Sequence, residues 1–455
     1  MMNIINPATE EIITTVQADS LESLALKFNR LQKSVAAWSA VPVQKRAEIL
    51  EKFVSLLKEN IEELAAILTS EMGKPLQQSR NEINGAGAKA VWLAQHASQY
   101  LSEEIMSVSD QMTEKIVYEP LGVICNISAW NYPYNVGVNI FVPALLAGNA
   151  VMYKPSEYAT LTGLQIGQYL VEAGVPEEVF QVAIGEGSVG KALLDLPFDG
   201  YYFTGSFQTG QKIYEHVSKK MVPCILELGG KDPVYVADDV VDVAGAAAGI
   251  ADGAFYNNGQ SCCSVERIYV QSAIYDEFVR AFIEEVQSWK MGSPTEDGVY
   301  ITVLSRKAQL EVLENQVADA LAKGAQVLVG GRRMDQKGNY FEPTVLVNAT
   351  HDMLVMCEES FGPIIGIMRV ENDAEAVLLM NDTAYGLTAG VYSADQNRAE
   401  YILAQIDAGS GYWNCCDRVS AALPWSGRGN SGFGSTLSQV GLRNFTKPKA
   451  YHLRK

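Results

Sequence analysis

A strand–helix–strand pattern stands out in NAVMYKPSEYATLTGLQIGQYLVEAGVPEEVFQVAIG, residues 149–185. Its first part, NAVMYKPSE, is predicted to be a buried strand. The segment ATLTGLQIGQYLVEAG is predicted to be a helix that ends at Gly174, shortly before Pro176. A second strand follows in VFQVAIG. A strand, a helix and a strand in this order predict two parallel strands joined by a helical connection.

The same alternation continues on both sides of this unit. EKIVYEPLGVICNIS precedes it as strand sequence, and SVGKALLDL and DGYYFTG follow it as a helix and a strand. From about residue 224 the alternation starts again, with the predicted strands CILELGG, PVYVAD, ERIYVQ and QVLVGG and predicted helices at 241–256, 274–289 and 305–323. Two such halves in series predict an α/β protein with two domains and a cleft between them. Residues 20–70 have helical spacing that stops at Gly73 and Pro75.

Length and charge limit what kind of protein this is. At 455 residues the chain is too long for one ordinary core. A hydrophobic content of 48% is typical of an ordered globular protein. Lys and Arg number 35 against 53 for Asp and Glu, so the formal net charge is −18. A surface that acidic repels phosphate backbones, and nucleic acid is not expected as a partner.

No export or membrane segment is predicted. The N-terminal MMNIINPATEEIITTVQ lacks the basic start and apolar block of a signal peptide. The segment VGVNIFVPALLAGNAVMY comes closest to a membrane span, but it carries Asn139, Pro143 and Asn149. We therefore expect a cytoplasmic protein whose thiols stay reduced.

Two adjacent cysteines, Cys262 and Cys263, lie in AFYNNGQSCCSVERIYV, residues 254–270. They could form a buried apolar pair, belong to a metal site, or include a nucleophile. The seven cysteines lack the spacing of a disulfide framework, and the four histidines are widely scattered. No metal site is therefore predicted.

Two glycine motifs compete for a phosphate-binding role at the carboxyl ends of the predicted strands. GEGSVG, residues 185–190, has the GxGxxG spacing, which is a weak signal in a glycine-rich chain. In FTGSFQTG, residues 203–210, Ser206 can cap the next helix and offer its hydroxyl and free amides to a phosphate. The spacing alone does not choose between them.

Three further motifs carry polar residues at predicted strand ends. In YKPSE, Lys154 and Glu157 could bind ribose hydroxyls or lie in a solvated turn. In CILELGGKDP, Glu227 stands between two leucines, where burial would raise its pKa and make it a general base, unless it points outward. In SAWNYP, Asn131 could donate to a developing oxyanion or only form a turn before the proline.

Taken together, these motifs resemble those of the NAD(P)-dependent aldehyde dehydrogenase superfamily. The similarity runs from NPAT at 6–9 to SGFG and the C-terminal tail, essentially the whole chain. The matching elements occur in the family's order, and they are AWNYP, GN at 148–149, KPSE, FTGS, LELGGKDP, NNGQSC, EESFGP and YGLTAGVYS. One of them alone could be chance, but eight in series are highly specific.

The resemblance implies an α/β fold with two parallel-sheet αβα domains. A Rossmann-like cofactor-binding domain would consist of residues 1–97 and 121–228, and a catalytic domain of residues 229–435. A small β oligomerisation element, made of residues 98–120 and 436–455, would join subunits into a homodimer or a homotetramer.

The resemblance also assigns the chemistry. It makes Cys262 the nucleophile, with the oxyanion held by the side chain of Asn131 and the backbone amide of Cys262. Glu227 would activate the water that hydrolyses the thioester to a carboxylic acid. Cys263 is expected to turn away as a small apolar residue, with oxidative pairing to Cys262 as the alternative. Some members of the fold are structural proteins without activity, but the three intact residues favour an enzyme.

The implied cofactor is NAD, with NADP as the alternative. The resemblance places Lys154 and Glu157 at the adenosine ribose, Ser206 at the pyrophosphate, and Glu359 and Phe361 at the nicotinamide ribose. Glu157 would repel a 2′-phosphate and favour NAD, whereas Lys154 could tolerate the phosphate. The remaining cofactor positions are Trp130, Ser156, Gly187, Thr204, Gly205, Leu228 and Gly229.

The predicted substrate pocket contains Tyr132, Tyr256, Ser261, Cys263, Arg418 and Trp425. Its aromatic residues could form a wall that suits a neutral or apolar aldehyde, which is ranked first, ahead of semialdehydes and then aminoaldehydes or betaine aldehyde. Relatives that oxidise succinate semialdehyde present arginines at positions that correspond to Asn139 and Tyr256. Arg418 is the remaining candidate cation.

Overall fold

The computed structural model describes all 455 residues, Met1 to Lys455. Its first large sheet has six strands, all parallel except for one antiparallel edge strand. In spatial order the strands are Gly432–Phe433, Cys224–Glu227, Gly200–Thr204, Val123–Ile127, Ala150–Lys154 and Phe180–Val182. This sheet contains the strand–helix–strand unit of residues 149–185, whose helix Thr160–Ala173 ends at Gly174 in a left-handed conformation. The prediction for that unit is confirmed.

Eight helices belong to the part of the chain that builds the first sheet. They are Leu21–Ser39, Val43–Glu59, Ile61–Met72, Leu76–Tyr100, Pro133–Leu146, Thr160–Ala173, Gly187–Leu193 and Phe207–Val217. The helical stretch predicted near residues 20–70 is three helices, because Pro42 begins the second and Asn60 separates the second from the third. The third ends at Gly73, as predicted.

The second large sheet has seven strands. In spatial order they are Gln326–Val329, Thr344–Val347, Ile364–Val370, Val265–Gln271, Asp232–Val236, Thr388–Tyr392 and Ser410–Trp413. All neighbours are parallel except the first two. Helices cover both faces, and they are Val243–Phe255, Tyr275–Ser288, Ala308–Ala322, Leu354–Cys357, Asp373–Met380 and Gln396–Leu403. A last helix, Ser438–Arg443, precedes the C-terminal strand.

A separate three-stranded antiparallel sheet joins the C-terminus to the middle of the chain. Its strands are Thr446–Arg454, Met112–Pro120 and Glu104–Val108, in that spatial order. The stretch predicted as one buried strand region, EKIVYEPLGVICNIS, is therefore divided between two sheets. The half that precedes Gly122 is half-buried and antiparallel, and the half that follows it is buried and parallel.

The predicted domain limits stay a prediction, but the strands show where the chain crosses between sheets. Strand Gly432–Phe433, inside the predicted catalytic range, pairs with Cys224–Glu227 of the first sheet. Three short pairs complete the β-structure, and they are Met2–Ile5 with Ile12–Val16, Lys290–Met291 with Val299–Ile301, and Tyr385–Gly386 with Arg428–Gly429. Every helix is too short or too polar to cross a membrane.

Candidate active site

The three residues with predicted chemistry come from different elements. Glu227 is the last residue of strand Cys224–Glu227, and Asn131 follows strand Val123–Ile127 in the loop before the next helix. Cys262 lies in the loop between a 3₁₀ turn, Tyr256–Gly259, and strand Val265–Gln271. The side chains of Glu227 and Asn131 are buried, whereas Cys262 is half-buried.

The loop before Cys262 has an unusual backbone. Asn257, Asn258 and Gly259 all have positive φ angles, of 55°, 56° and 69°. Asn and Gly are the residues that best tolerate this conformation. A Cβ on Gly259 would also lie 2.3 Å from the carbonyl oxygen of Gly362. The NNG sequence is therefore needed to bring Cys262 to its place.

Hydrogen bonds join this loop to Asn131. The Asn131 side-chain amide donates to the carbonyl of Gln260 at 3.1 Å. In return, the Asn257 amide donates to the carbonyl of Asn131 at 3.1 Å. Asn131 of the first half is thus fixed beside the loop of the second half that carries Cys262.

A buried ion pair supports Asn131 from the other side. Lys74 and Glu82 are fully buried and paired with each other. The Lys74 ammonium also donates to the Asn131 carbonyl at 2.9 Å and lies 3.9 Å from the centre of the Tyr132 ring. Glu82 accepts the backbone N–H of Tyr134 at 2.9 Å. Three polar contacts therefore hold the Asn131–Tyr134 turn.

Gly230 brings the turn after Glu227 against the nucleophile loop. A Cβ at Gly230 would lie 2.3 Å from the carbonyl oxygen of Cys262, so only glycine allows this approach. The two-glycine motif therefore places the general-base candidate and the thiol candidate on touching backbone segments.

Burial sets the pKa of the Glu227 carboxyl. Its side chain is 7% exposed, and burial raises its pKa to about 7. The hydroxyl of Thr436 donates a hydrogen bond to Oε1, and this contact opposes the rise. A carboxyl that titrates near neutral pH is suited to take a proton from water.

Cys263 is buried in the apolar core, and its thiol also has polar partners. Its thiol donates to Asp417 Oδ1 at 2.9 Å and lies 3.4 Å from the Ser261 hydroxyl. A hydrogen bond with the Cys262 thiol, and then burial, raise the pKa of Cys263 well above its usual value. Burial also raises the pKa of Asp417 to about 6. Cys263 is thus held as a neutral thiol beside Cys262.

A large cavity lies next to the residues predicted for the adenosine ribose. Its volume is about 730 Å³, and its wall includes Glu157, Glu186 and Gly187. A Cβ built on Gly187 meets no atom within 4 Å, so this backbone faces open space. Lys154 is 3% exposed and its ammonium lies 3.9 Å from the Glu157 carboxylate. Ser156, also buried, accepts the N–H of Tyr158 at 3.4 Å and begins the turn that carries Glu157.

The FTGS motif lies where a strand runs into a helix. Thr204 ends strand Gly200–Thr204, and Ser206 immediately precedes helix Phe207–Val217. The Ser206 side chain makes no capping hydrogen bond to a backbone N–H, contrary to the sequence prediction, and donates instead to the Thr209 hydroxyl at 3.0 Å. The first amides of the helix therefore remain available to a phosphate. Leu228 packs against Gly210 of the same helix.

Glu359 and Phe361 face the Glu227 turn. Glu359 accepts the N–H of Gly230 at 3.0 Å, and burial raises its pKa to about 8. A Cβ on Gly229 would lie 2.4 Å from the Glu359 carboxylate. Phe361 has a φ of 47°, which is unfavourable for an aromatic residue, and stacks edge-on with Trp130 at 5.5 Å.

Glu266 explains how the Phe361 segment keeps this conformation. Its carboxylate accepts the N–H groups of Ser360 and Phe361 at 2.8 and 3.0 Å. It also pairs with the buried ammonium of Lys231 at 2.5 Å. The residues predicted at the nicotinamide ribose are thus fixed by a buried ion pair.

The residues predicted for the substrate pocket differ in burial and in the groups they contact. Tyr256 is half-buried, accepts a hydrogen bond from Asn81 at 3.1 Å and packs edge-on against Tyr300. Trp425 is 6% exposed, lies in one apolar cluster with Cys263, and exchanges backbone hydrogen bonds with Thr436. Arg418 is exposed, its carbonyl accepts a hydrogen bond from the Tyr412 hydroxyl, and its charge lowers the pKa of Asp417.

Several residues of the site escaped the sequence analysis. Thr436, Glu266 and Asp417 each contact a predicted site residue from a distant part of the chain. Lys89, on helix Leu76–Tyr100, is influenced by the charges of Cys263 and Glu227. Periodicity gives no signal for such contacts, and only the CCD sequence at 415–417, which repeats a cysteine pair, stands out locally.

The chain is similar to proteins of known family and known structure. The model of the aldehyde dehydrogenase family matches residues 1–451. Aminoaldehyde dehydrogenase 1 of Pisum sativum, a peroxisomal protein, is 34% identical, over 98% of this chain and 91% of its own length. A succinate-semialdehyde dehydrogenase [NADP(+)] of Deinococcus radiodurans is 32% identical, over 98% and 93%. The crystal structure of an NAD-dependent aldehyde dehydrogenase from Sinorhizobium meliloti superposes with a TM-score of 0.96 at 30% identity, covering 100% of this chain and 91% of that one.

Proposed function

Because the chain belongs to the aldehyde dehydrogenase family and is an enzyme that oxidises an aldehyde with NAD or NADP, we propose that it does so by the hydrolytic route through Cys262, Glu227 and Asn131. One observation carries the proposal. Glu227 is a buried carboxyl with a pKa of about 7, on a turn whose Gly230 touches the backbone of Cys262. Enzymes that release an acid with water need such a base beside the acyl-cysteine.

Cys262 performs the first step. Its thiolate adds to the aldehyde carbon and forms a thiohemiacetal. The negative charge that develops on the oxygen is stabilised by the Asn131 side-chain amide, which has one N–H in use at Gln260 and a second N–H free. Loss of hydride from the thiohemiacetal leaves a thioester on Cys262.

Glu227 performs the second step. Its carboxylate removes a proton from a water molecule, the hydroxide equivalent attacks the thioester, and the carboxylic acid leaves while Cys262 is restored. The overall reaction consumes an aldehyde, an oxidised cofactor and water, and it yields an acid, a reduced cofactor and a proton.

The residues present fit a dinucleotide. The open backbone at Gly187, the 730 Å³ cavity beside Glu157 and the free amides of helix Phe207–Val217 suit an adenosine and a pyrophosphate. When bound, the nicotinamide supplies the acceptor for the hydride. Glu359 and Phe361 would hold its ribose. Glu157 favours NAD over NADP, because its carboxylate would repel a 2′-phosphate.

Two other observations support a homo-oligomer and a cytoplasmic location. Strand Glu104–Val108 forms an edge of the three-stranded sheet and exposes Ile105, Met106 and Val108. Such an edge suits pairing with a second subunit, as a homodimer or within a homotetramer. All seven cysteines are free thiols, which suits the reducing cytoplasm.

The proposal is tested by cofactor reduction with an aldehyde panel and two variants. Wild-type protein should reduce NAD faster than NADP. Cys262→Ala should abolish turnover and any acyl adduct, and Asn131→Ala should lower kcat by about 10²–10³. Retained turnover in Cys262→Ala would refute the mechanism. Equal efficiency with NAD and NADP would refute the role given to Glu157.

A further inference from the structure

Lys89 is a cation without a partner in the substrate region. It lies on helix Leu76–Tyr100 and is half-buried. No hydrogen bond reaches its ammonium, and the acidic groups near enough to affect its pKa are the Cys263 thiol and the carboxyls of Glu227, Glu82 and Asp417. Burial lowers the pKa of this lysine, and the four acidic groups oppose that change.

The helix geometry places Lys89 on the face that carries the active-site contacts. Gln78 accepts the backbone N–H of Asn257, and Glu82 accepts that of Tyr134. One turn further, a Cβ on Gly85 would lie 3.8 Å from the Asn135 side-chain oxygen. Lys89 follows Gly85 by four residues and is therefore on the same face, directed towards the helix that begins at Pro133.

The acidic groups around Lys89 are already occupied by other donors. Glu82 is paired with Lys74, and Glu227 accepts the Thr436 hydroxyl. Asp417 accepts the Cys263 thiol at 2.9 Å. An ammonium has three N–H donors, and none of them is used by these carboxylates, so the Lys89 donors are free to bind a ligand.

A second polar side chain in this region also lacks a partner. Asn139 is 5% exposed, and its Oδ1 makes no hydrogen bond. The same is true of Oδ1 of Asn135, one turn earlier on the same helix face. Both atoms are acceptors, and buried acceptors are nearly always paired, so they call for a donor. The Lys89 ammonium can supply one N–H to this face and keep its other N–H groups for an anionic ligand.

We infer that Lys89 is the specificity-determining residue of the substrate pocket, and that it binds a carboxylate at the far end of the aldehyde, with Asn139 as a neutral polar neighbour. The inference rests on the proposed function, because the aldehyde end of the substrate must react with Cys262. The sequence ranked neutral or apolar aldehydes first and semialdehydes second. Lys89 favours the ω-carboxy aldehydes, and it disfavours cationic aldehydes such as betaine aldehyde by direct repulsion.

The test compares aldehydes that differ only in the far group. Succinate semialdehyde and 4-methylpentanal are matched, because an isopropyl group replaces the carboxylate in the second compound. Wild-type protein should have the higher kcat/KM for succinate semialdehyde. Lys89→Met should lower that value by about 10- to 100-fold, mainly through KM, the range expected for loss of a charge-assisted hydrogen bond. Because the Lys89 charge also lowers the pKa of Glu227, a change in the base affects both substrates alike. The discriminating quantity is therefore the ratio of the two kcat/KM values, which should fall by about 10- to 100-fold.

Lys58→Met is the matched control. Lys58 is exposed on helix Val43–Glu59 and is remote from the pocket residues, so both substrates should keep their wild-type kcat/KM. Inhibition by glutarate, a dicarboxylate, is a second measurement, and it uses 4-methylpentanal as the substrate for both proteins. As a competitive inhibitor of 4-methylpentanal oxidation, it should have a higher inhibition constant in Lys89→Met than in wild type.

Three outcomes would overturn the inference while the proposed function stands. Wild-type protein could oxidise 4-methylpentanal as well as succinate semialdehyde, Lys89→Met could lower both values equally, or glutarate could inhibit both proteins alike. Failure of the proposed function is a different result, namely turnover that survives in Cys262→Ala.

Discussion

The hydroxyl of Thr436 donates a hydrogen bond to Oε1 of Glu227, across 209 positions of the sequence. Trp425 and Thr436 hold each other through two backbone hydrogen bonds of 2.8 and 2.9 Å, so the hydroxyl is firmly placed. A hydrogen bond to the charged carboxylate favours that form and lowers the pKa that burial has raised. Thr436 is therefore a positioning residue that tunes the base.

Thr436→Val should lower kcat at neutral pH, and it should lower kcat much less at alkaline pH. Without the hydroxyl, the pKa of Glu227 rises further and less of the carboxylate is present. We expect kcat at pH 7 to fall by about three- to tenfold, the equivalent of one hydrogen bond, and to recover towards pH 9. The pH profile of kcat is the measurement. Thr436→Ser, which keeps the hydroxyl, should retain the wild-type profile, and a uniform loss at every pH would contradict the tuning role.

Wild-type kcat should itself depend on pH in a predictable direction. Burial raises the pKa of Glu227 to about 7 in the folded protein, and only the deprotonated form can accept a proton from water. Turnover should therefore rise from pH 6 to pH 8 with an apparent midpoint near 7, provided that hydrolysis limits the rate. A profile that is flat between pH 5.5 and 8 would exclude Glu227 as the limiting base.

Glu227→Gln should separate the two halves of the reaction. The amide cannot take a proton, so steady-state turnover should fall by about 10²–10⁴, while Cys262 still acquires the acyl group. We expect a burst of one reduced cofactor per subunit, followed by an almost flat line. Intact-protein mass spectrometry should detect the acyl group, and Cys262→Ala should show neither burst nor adduct. A variant that turns over at the wild-type rate would remove Glu227 from the mechanism.

The ion pair between Lys231 and Glu266 should matter for both stability and cofactor binding. Glu266→Ala leaves a buried ammonium unpaired, which costs about 3–5 kcal/mol. It also removes the acceptor for the N–H groups of Ser360 and Phe361, so the KM for NAD should rise. Urea unfolding and NAD titration check the two effects.

The double variant Lys231→Met with Glu266→Leu is the control for that prediction. It removes both charges and should recover most of the lost stability, because no unpaired charge is left in the core. The KM for NAD should stay high, since the amides of Ser360 and Phe361 still lack an acceptor. Recovery of both properties together would mean that Glu266 acts on stability alone.

The sequence could predict what is encoded locally. The unit at 149–185 was recognisable because strand and helix have different apolar periods, and Gly174 marks the end of its helix. The NNGQSC, LELGG and AWNYP motifs pointed to Cys262, Glu227 and Asn131, because each motif also carries the backbone feature that places its residue. The positive φ angles of Asn257 and Gly259 are one example.

Contacts between distant segments could not be predicted in this way. Thr436, Glu266 and Lys89 are ordinary residues in their own neighbourhoods, and only the folded chain brings them to Glu227, Phe361 and the pocket. The hydrogen bond of the buried Cys263 thiol could not be predicted for the same reason, since its partner Asp417 is 154 positions away. Specificity is therefore the least predictable part of the site.

The exposed edge strand Glu104–Val108 gives the last prediction. Ile105 and Val108 are 52% and 67% exposed, which is unusual for apolar residues on an unpaired edge. If this edge pairs with another subunit, Ile105→Lys together with Val108→Lys should bring charges into the interface and reduce the mass measured by light scattering to that of a monomer. Leu378→Lys is the matched control, because Leu378 is 71% exposed on helix Asp373–Met380, far from this edge, and should leave the mass unchanged. An unaltered mass in the double-lysine variant would place the subunit interface elsewhere on the molecule.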